Sequence, residues 1–142
     1  MTTTKHGVLR VQDRPFFKNI NAICTATGID PKSVCLGYMR RSGACHPFHP
    51  NIYLWWPAET HKNWESHLSG NGLTFSSRSR KKPFSGDDLA KDAATQGLFA
   101  IFFREAKGPY GYRFIGLFNT NMEQSRLQHR HVFDRVATEL EV

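Results

Sequence analysis

Leu98-Phe99-Ala100-Ile101-Phe102-Phe103-Arg104, Gly108-Pro109-Tyr110-Gly111 and Tyr112-Arg113-Phe114-Ile115-Gly116-Leu117-Phe118 decide the fold. Two apolar, aromatic-rich runs flank a turn made of Gly and Pro, which predicts a β-hairpin with a buried centre. The apolar run beginning at Gly97 is far too short to span a bilayer. Beyond the hairpin, a polar connector from Asn119 to Gln128 leads to His131-Val132-Phe133-Asp134-Arg135-Val136-Ala137, whose alternation reads as a strand. Before it, Ser85 and Asp88 resemble a capping box with Asp in place of Glu. That predicts a helix from Asp87 to Ala94, closed by Gly97.

Working further out, Asn51-Ile52-Tyr53-Leu54-Trp55-Trp56 is rich in strand formers and Pro57 stops it. Ser33 to Arg40 is β-like. Gly70-Asn71-Gly72 is a turn, with a brief strand at Leu73 to Ser76. Trp64 falls in a predicted helix or turn. Phe16, Phe17, Ile20, Ile23 and Cys24 have helical spacing that Gly28 ends, and Val8 to Gln12 alternates as a first strand or arm. No repeat or flexible linker interrupts the chain. Six or so short strands with two or three short helices predict one α+β domain over residues 1–142, built on a curled, mainly antiparallel, barrel-like sheet.

The composition agrees with this. Of 142 residues, 39% are hydrophobic, with 11 Phe, 4 Tyr and 3 Trp, enough for a core and too short a chain for a second full domain. Disordered, collagenous and disulfide-dense classes are excluded. Lys and Arg total 19 against 12 Asp and Glu, and the resulting +7 attracts polyanions, nucleic acid first among them. Cys24, Cys35 and Cys45 are odd in number with no close pair, which predicts reduced thiols. With a polar Met1–His6 start, this predicts a soluble cytoplasmic protein with no membrane partner.

Catalytic motifs are weak. Cys45, His46 and His49 lie within five residues, with Cys35 upstream, but a structural zinc site needs a second ligand pair and none follows. No metal and no cofactor are expected. Asp88, Glu105 and Lys107 could form a small Mg²⁺-dependent nuclease, with the acids holding the ion and the lysine orienting a water. Solvated charges at a hairpin end explain the same residues, because three-residue motifs recur by chance. There is no nucleophile elbow, P-loop or dinucleotide fingerprint. The sequence predicts no enzyme.

Nucleic-acid binding is better supported. Arg78, Arg80, Lys81 and Lys82 form a basic run in a Ser-rich segment that reads as an exposed loop suited to phosphates, with Arg40 and Arg41 adding charge. Tyr53 and Trp55 share one strand face and Trp56 takes the other. The expectation is that one face lines a pocket while the other packs the core. Tyr53, Trp55 and Trp64 are the candidate stacking rings for an extruded base, although buried aromatics are ordinarily core.

The stretch Tyr112 to Phe118, a connector with Glu123 and Ser125, and His131 to Leu140 resemble the end of the PUA/SRA-like modules of bacterial modification-dependent restriction proteins. Tyr53-Leu54-Trp55-Trp56-Pro57, Asn63-Trp64 and Leu68-Ser69-Gly70-Asn71-Gly72 resemble their middle. His131 stands where an Arg opens the last strand motif, and Asn119-Thr120-Asn121 replaces an acidic residue. The resemblance implies a reader that accommodates a flipped, modified base of DNA, with any nuclease on another domain or chain. A protein-interaction module of a defence or anti-defence system is the other non-enzymatic alternative.

Overall fold

The computed structural model describes residues 7–30, 51–85 and 97–142, and only the backbone of 46–49. The expected Ser33–Arg40 strand and Asp87–Ala94 helix, with Cys35, Cys45, Arg40, Arg41 and Asp88, lie outside the described residues.

The hairpin forms as expected. β7 (Leu98–Phe103) runs antiparallel to β8 (Tyr112–Thr120), with Leu98 opposite Asn119 and Phe103 opposite Arg113. Around it the sheet runs β3 (His46–His49), β4 (Ile52–Trp55), β7, β8, β9 (His131–Ala137), β6 (Thr74–Ser79) and β5 (Trp64–Leu68). β2 (Phe16–Phe17) also pairs with β8. Among the described strand pairs only β4 and β7 are parallel, so the chain leaves β4, builds β5 and β6, and returns beside β4. β1 (Val8–Arg10) and β10 (Glu139–Glu141) form a separate antiparallel pair.

Both faces of the central sheet are covered, which explains why β7 is apolar at consecutive positions. Leu54, Trp56, Ala100, Phe102, Tyr112 and Phe114 point to one side, where Ile23 and Cys24 of α1 (Ile20–Thr27) pack on them. There burial pushes the Cys24 thiol pKa up, and Asp30 adds to the rise. Trp55, Phe99, Ile101 and Phe103 point to the other side and meet Phe75, Ile115, Phe118 and Phe133. The phase read for β4 is right: Tyr53 and Trp55 share one face and Trp56 takes the other. Both indoles are buried, Trp55 at 7% exposed and Trp56 at 1%.

The inward-outward alternation of β8 slips by one residue at Gly116. Ile101 faces Gly116 while Phe102 faces Phe114, so Ile115 is an extra residue against β7. A second irregularity on β9 leaves Val136 unpaired between Leu117 and Phe118. Such bulges bend strands and increase their twist, which curls the sheet. Gly116 sits at φ +126°, and a Cβ there would lie 2.6 Å from Cδ of Arg135 and 3.0 Å from the Ala137 carbonyl oxygen.

Several local expectations are corrected. Phe16 and Phe17 form β2, and α1 begins only at Ile20, where the Asn19 side chain accepts a hydrogen bond from the Ala22 amide. Its end at Gly28, in the left-handed conformation, agrees with the expectation. β1 stops at Arg10 in a short 3₁₀ turn. The connector after β8 contains α2 (Met122–Gln128), capped by Asn121, whose Oδ1 accepts from the Gln124 amide while Nδ2 donates to Asp134. Trp64 opens strand β5 and is not in a helix or turn. The basic segment is no free loop either. Arg78 is on β6, which runs to Ser79 because Phe75 and Ser77 alternate inward and pair with β5.

Candidate functional site

β5 and β6 present Trp64, Ser66 and Leu68 beside Ser79, Ser77 and Phe75, with Ser66 directly opposite Ser77. The small side chains of Ser66 and Ser77 leave a hollow beside the large Trp64. It is a half-open pocket of about 380 Å³, mouth included, lined by Trp55, Pro57, Ala58, His61, Trp64, Ser66 and Ser77. Serines in strands are poor formers and bury little area. They make space here and line it with hydroxyls.

Each wall has a distinct chemistry. Trp55 is the buried indole, fixed by edge contacts to Phe75 and Phe133 at 5.6 and 5.4 Å between ring centres. Trp64 is half-buried and is the outer indole, with the His131 ring 6.2 Å away. Ser66 and Ser77 are buried and their hydroxyls hydrogen-bond at 3.0 Å. A serine pair has two hydroxyl hydrogens and the mutual bond uses one. The Nδ1 atom of His61 accepts the Asn63 amide hydrogen at 3.1 Å, which places the hydrogen of a neutral imidazole on Nε2. The pocket therefore combines flat apolar walls with hydroxyl and imidazole polar groups, a combination that suits a planar heterocycle.

Of the candidate rings, Trp55 and Trp64 meet at this pocket. Tyr53 shares the face of Trp55 but lies outside the lining, its ring 6.3 Å from Phe99. Pro57, Ala58, His61 and the two serines were not singled out from the sequence. The alternation Trp64-Glu65-Ser66-His67-Leu68 was their signal, had β5 been read as a strand.

The cations divide into two groups. Arg78 pairs with Glu65 across the strands, and Nη1 of Arg80 lies 3.7 Å from the same carboxylate. The Arg78 hydrogen bond, with the charges of Arg78, Arg80 and Arg130, holds the Glu65 carboxyl below its ordinary value. Lys81 and Lys82 are exposed, and their amides donate to the Ser79 hydroxyl at 3.2 and 3.1 Å. Among the described residues neither lysine has an ion pair.

The remaining candidates are not brought to the pocket. Glu105 pairs with Arg113 at 3.0 Å, and Lys107 is on the exposed loop between β7 and β8. That loop is braced by the Ala106 amide donating to Glu59 at 2.8 Å and by Arg104 Nη1 donating to the Tyr110 hydroxyl at 2.7 Å. Among the described residues, no group of three His, Cys, Asp or Glu could hold a metal ion. Again among them, no helix is long and apolar enough to cross a membrane.

No curated protein sequence matches the chain. Among solved structures, the 5-hydroxymethylcytosine-specific restriction enzyme AbaSI is similar, with a TM-score of 0.67 and 22% sequence identity. The match covers 99% of this chain but 44% of that one, so this chain spans less than half the length of that structure. The two share the fold. The profile of the SET and RING associated (SRA) domain matches residues 2–142, and the chain belongs to the SRA family.

Proposed function

We propose that this chain is a DNA-binding reader that holds a flipped, modified base in the Trp55–Trp64 pocket and performs no chemistry itself. The observation that carries this reading is the pocket: two indoles and a proline, with paired serine hydroxyls and an imidazole, on a sheet of the SRA family. A base extruded from a duplex loses its stacking, a cost of a few kcal/mol, and aromatic walls restore part of it. The hydroxyl and imidazole groups meet the polar edge or substituent of the base. Lys81 and Lys82, Arg78 once drawn from Glu65, and Arg40 and Arg41 contact phosphates. Any cleavage is supplied by another domain or subunit, as the greater length of the AbaSI structure suggests.

Binding titrations test this with three duplexes of one sequence carrying cytosine, 5-methylcytosine or 5-hydroxymethylcytosine. Preference for a modified duplex is expected, with a rise in 2-aminopurine fluorescence when that analogue neighbours the modified base and is unstacked. Equal affinity for all three duplexes, at low and moderate salt, would sink the reading.

A further inference from the structure

Arg80 belongs to a basic run and is exposed, yet it makes four contacts with the segment facing it. Its backbone amide donates to the Asn63 carbonyl at 2.8 Å. Its Nε donates to the carbonyls of His61 at 3.0 Å and Trp64 at 3.3 Å. Its Nη1 lies 3.7 Å from the Glu65 carboxylate. One residue at the end of β6 thus touches four consecutive-or-near positions, 61, 63, 64 and 65, and two of them, His61 and Trp64, are pocket walls. The segment from Ala58 to Asn63 is also held by backbone bonds, from the Glu59 amide to the Arg104 carbonyl at 2.8 Å, from the His61 amide to the Trp64 carbonyl at 3.1 Å and from the Ser66 amide to the Glu59 carbonyl at 3.1 Å. Single bridges, Ala58 to Arg104 and Thr60 to Glu65, and the His61–Asn63 contact add to these, and Arg80 is the side chain that joins the His61 and Trp64 carbonyls to the end of β6.

We propose that Arg80 is a positioning residue that sets the outer wall of the pocket, and with it base discrimination, and that it is not a phosphate contact. The inference rests on the reading of the pocket as a base site. Its physical basis is the planar guanidinium, whose several donors have fixed directions. Here the one Nε hydrogen is shared between two carbonyls while Nη1 faces a carboxylate, a fixed planar arrangement that an ammonium on a flexible stem cannot reproduce. Holding Trp64 and His61 in place before the base arrives removes an ordering cost from binding. Drawing Arg80 away to a phosphate would release the wall at the moment it is needed.

The test uses the whole chain with Arg80→Ala, Arg80→Lys and the double variant Lys81→Ala/Lys82→Ala. Amide hydrogen exchange by mass spectrometry is read over residues 58–64, and affinities for modified and unmodified duplexes are read across a salt series. Both Arg80 variants should exchange faster over 58–64, with β7 and β8 unchanged, and should lose about tenfold in the modified-over-unmodified ratio. The slope of log affinity against log salt should stay as in the wild type. The lysine variant should do the opposite, keeping the ratio while the slope flattens by about one per lost contact. A flattened slope in Arg80→Ala that Arg80→Lys restores, with the ratio intact, would make Arg80 a phosphate contact and overturn the proposal. So would unchanged exchange over 58–64 in both variants. If the wild type shows no preference for a modified duplex, the base-site reading fails on its own. The exchange data then still decide whether Arg80 holds the wall.

Discussion

Trp55 and Trp64 line one pocket from opposite structural situations, so truncating each should separate stability from recognition. Trp55 is 7% exposed and has the rings of Phe75, Phe99 and Phe133 within 5.6 Å of its own. Replacing a buried aromatic with Ala costs about 3–5 kcal/mol, and three ring contacts put Trp55 towards the upper end. Against a total stability of about 5–15 kcal/mol, this is a large share. For a chain of this size it lowers Tm by roughly 10–20 °C. Trp64 is half-buried, so Trp64→Ala should cost only about 1–2 kcal/mol. Stacking on a base is worth about 1–3 kcal/mol, so the folded Trp64 variant should lose roughly 5- to 150-fold in affinity for a modified duplex. Thermal melts of both variants, followed by titration with modified and unmodified duplexes at a temperature where each is folded, measure both quantities. A Trp64→Ala protein that melts as early as Trp55→Ala would show that the outer ring is core. One that melts late and keeps full discrimination would remove Trp64 from recognition.

Two further outcomes follow from local geometry. Gly116→Ala forces a side chain into φ +126° and against Arg135 and the Ala137 carbonyl, so it should destabilise by about 2–3 kcal/mol, read by urea denaturation. An unchanged midpoint would mean that the bulge relaxes without cost. Glu65→Gln should remove a pH-dependent part of the stability. The folded carboxyl lies below its ordinary value of 4.5, so its contribution is present above that pH and disappears as pH falls through the lowered value. The wild type should therefore melt above Glu65→Gln near neutrality, and the two curves should converge in acid. Parallel curves across the range would show that the Arg78 pairing does not stabilise the fold.

The parts of this structure that were legible in sequence are those where apolar pattern and local turn chemistry act together. Leu98–Phe103 and Tyr112–Phe118 carry apolar runs on either side of a Gly-Pro turn, and the alternation through Leu54, Trp55 and Trp56 placed each ring on its correct face. Gly28 marked the end of α1 because a left-handed cap favours glycine. The site was harder because the residues that create it are weak strand formers. Leu73 to Ser76 read as a brief strand, but Ser77 and Ser79 hid the rest of β6 and Ser66 helped to hide β5; β6 is held by pairing with β9, and β5 by pairing with β6. The smallness of Ser66 and Ser77 is what opens the pocket, so the feature that matters for binding is also one that hides the strands. The parallel pairing of β4 with β7 left no local trace, since it joins Trp55 to Ile101 across the chain segment that builds the pocket. Arg78 and Arg80 illustrate a different loss. Their charge was visible, but the Glu65 that engages both lies on another strand, and cross-strand partners cannot be assigned without the register.

The β1–β10 pair has a mechanical consequence. Val8 lies opposite Glu141 and Arg10 opposite Glu139, and the Val142 amide donates to the Gly7 carbonyl, so both ends of the described chain emerge side by side. Tension applied between them, through handles in a force experiment, pulls an antiparallel pair apart from its open end. The bonds then yield one after another, as in a zipper, and never share the load as they would in shear. Each is worth only about 0.5–1.5 kcal/mol net. Rupture should begin at Gly7 and Val142, pass Leu9 and the buried Leu140, and reach the Arg10–Glu139 ion pair before the eight-stranded sheet bears any force.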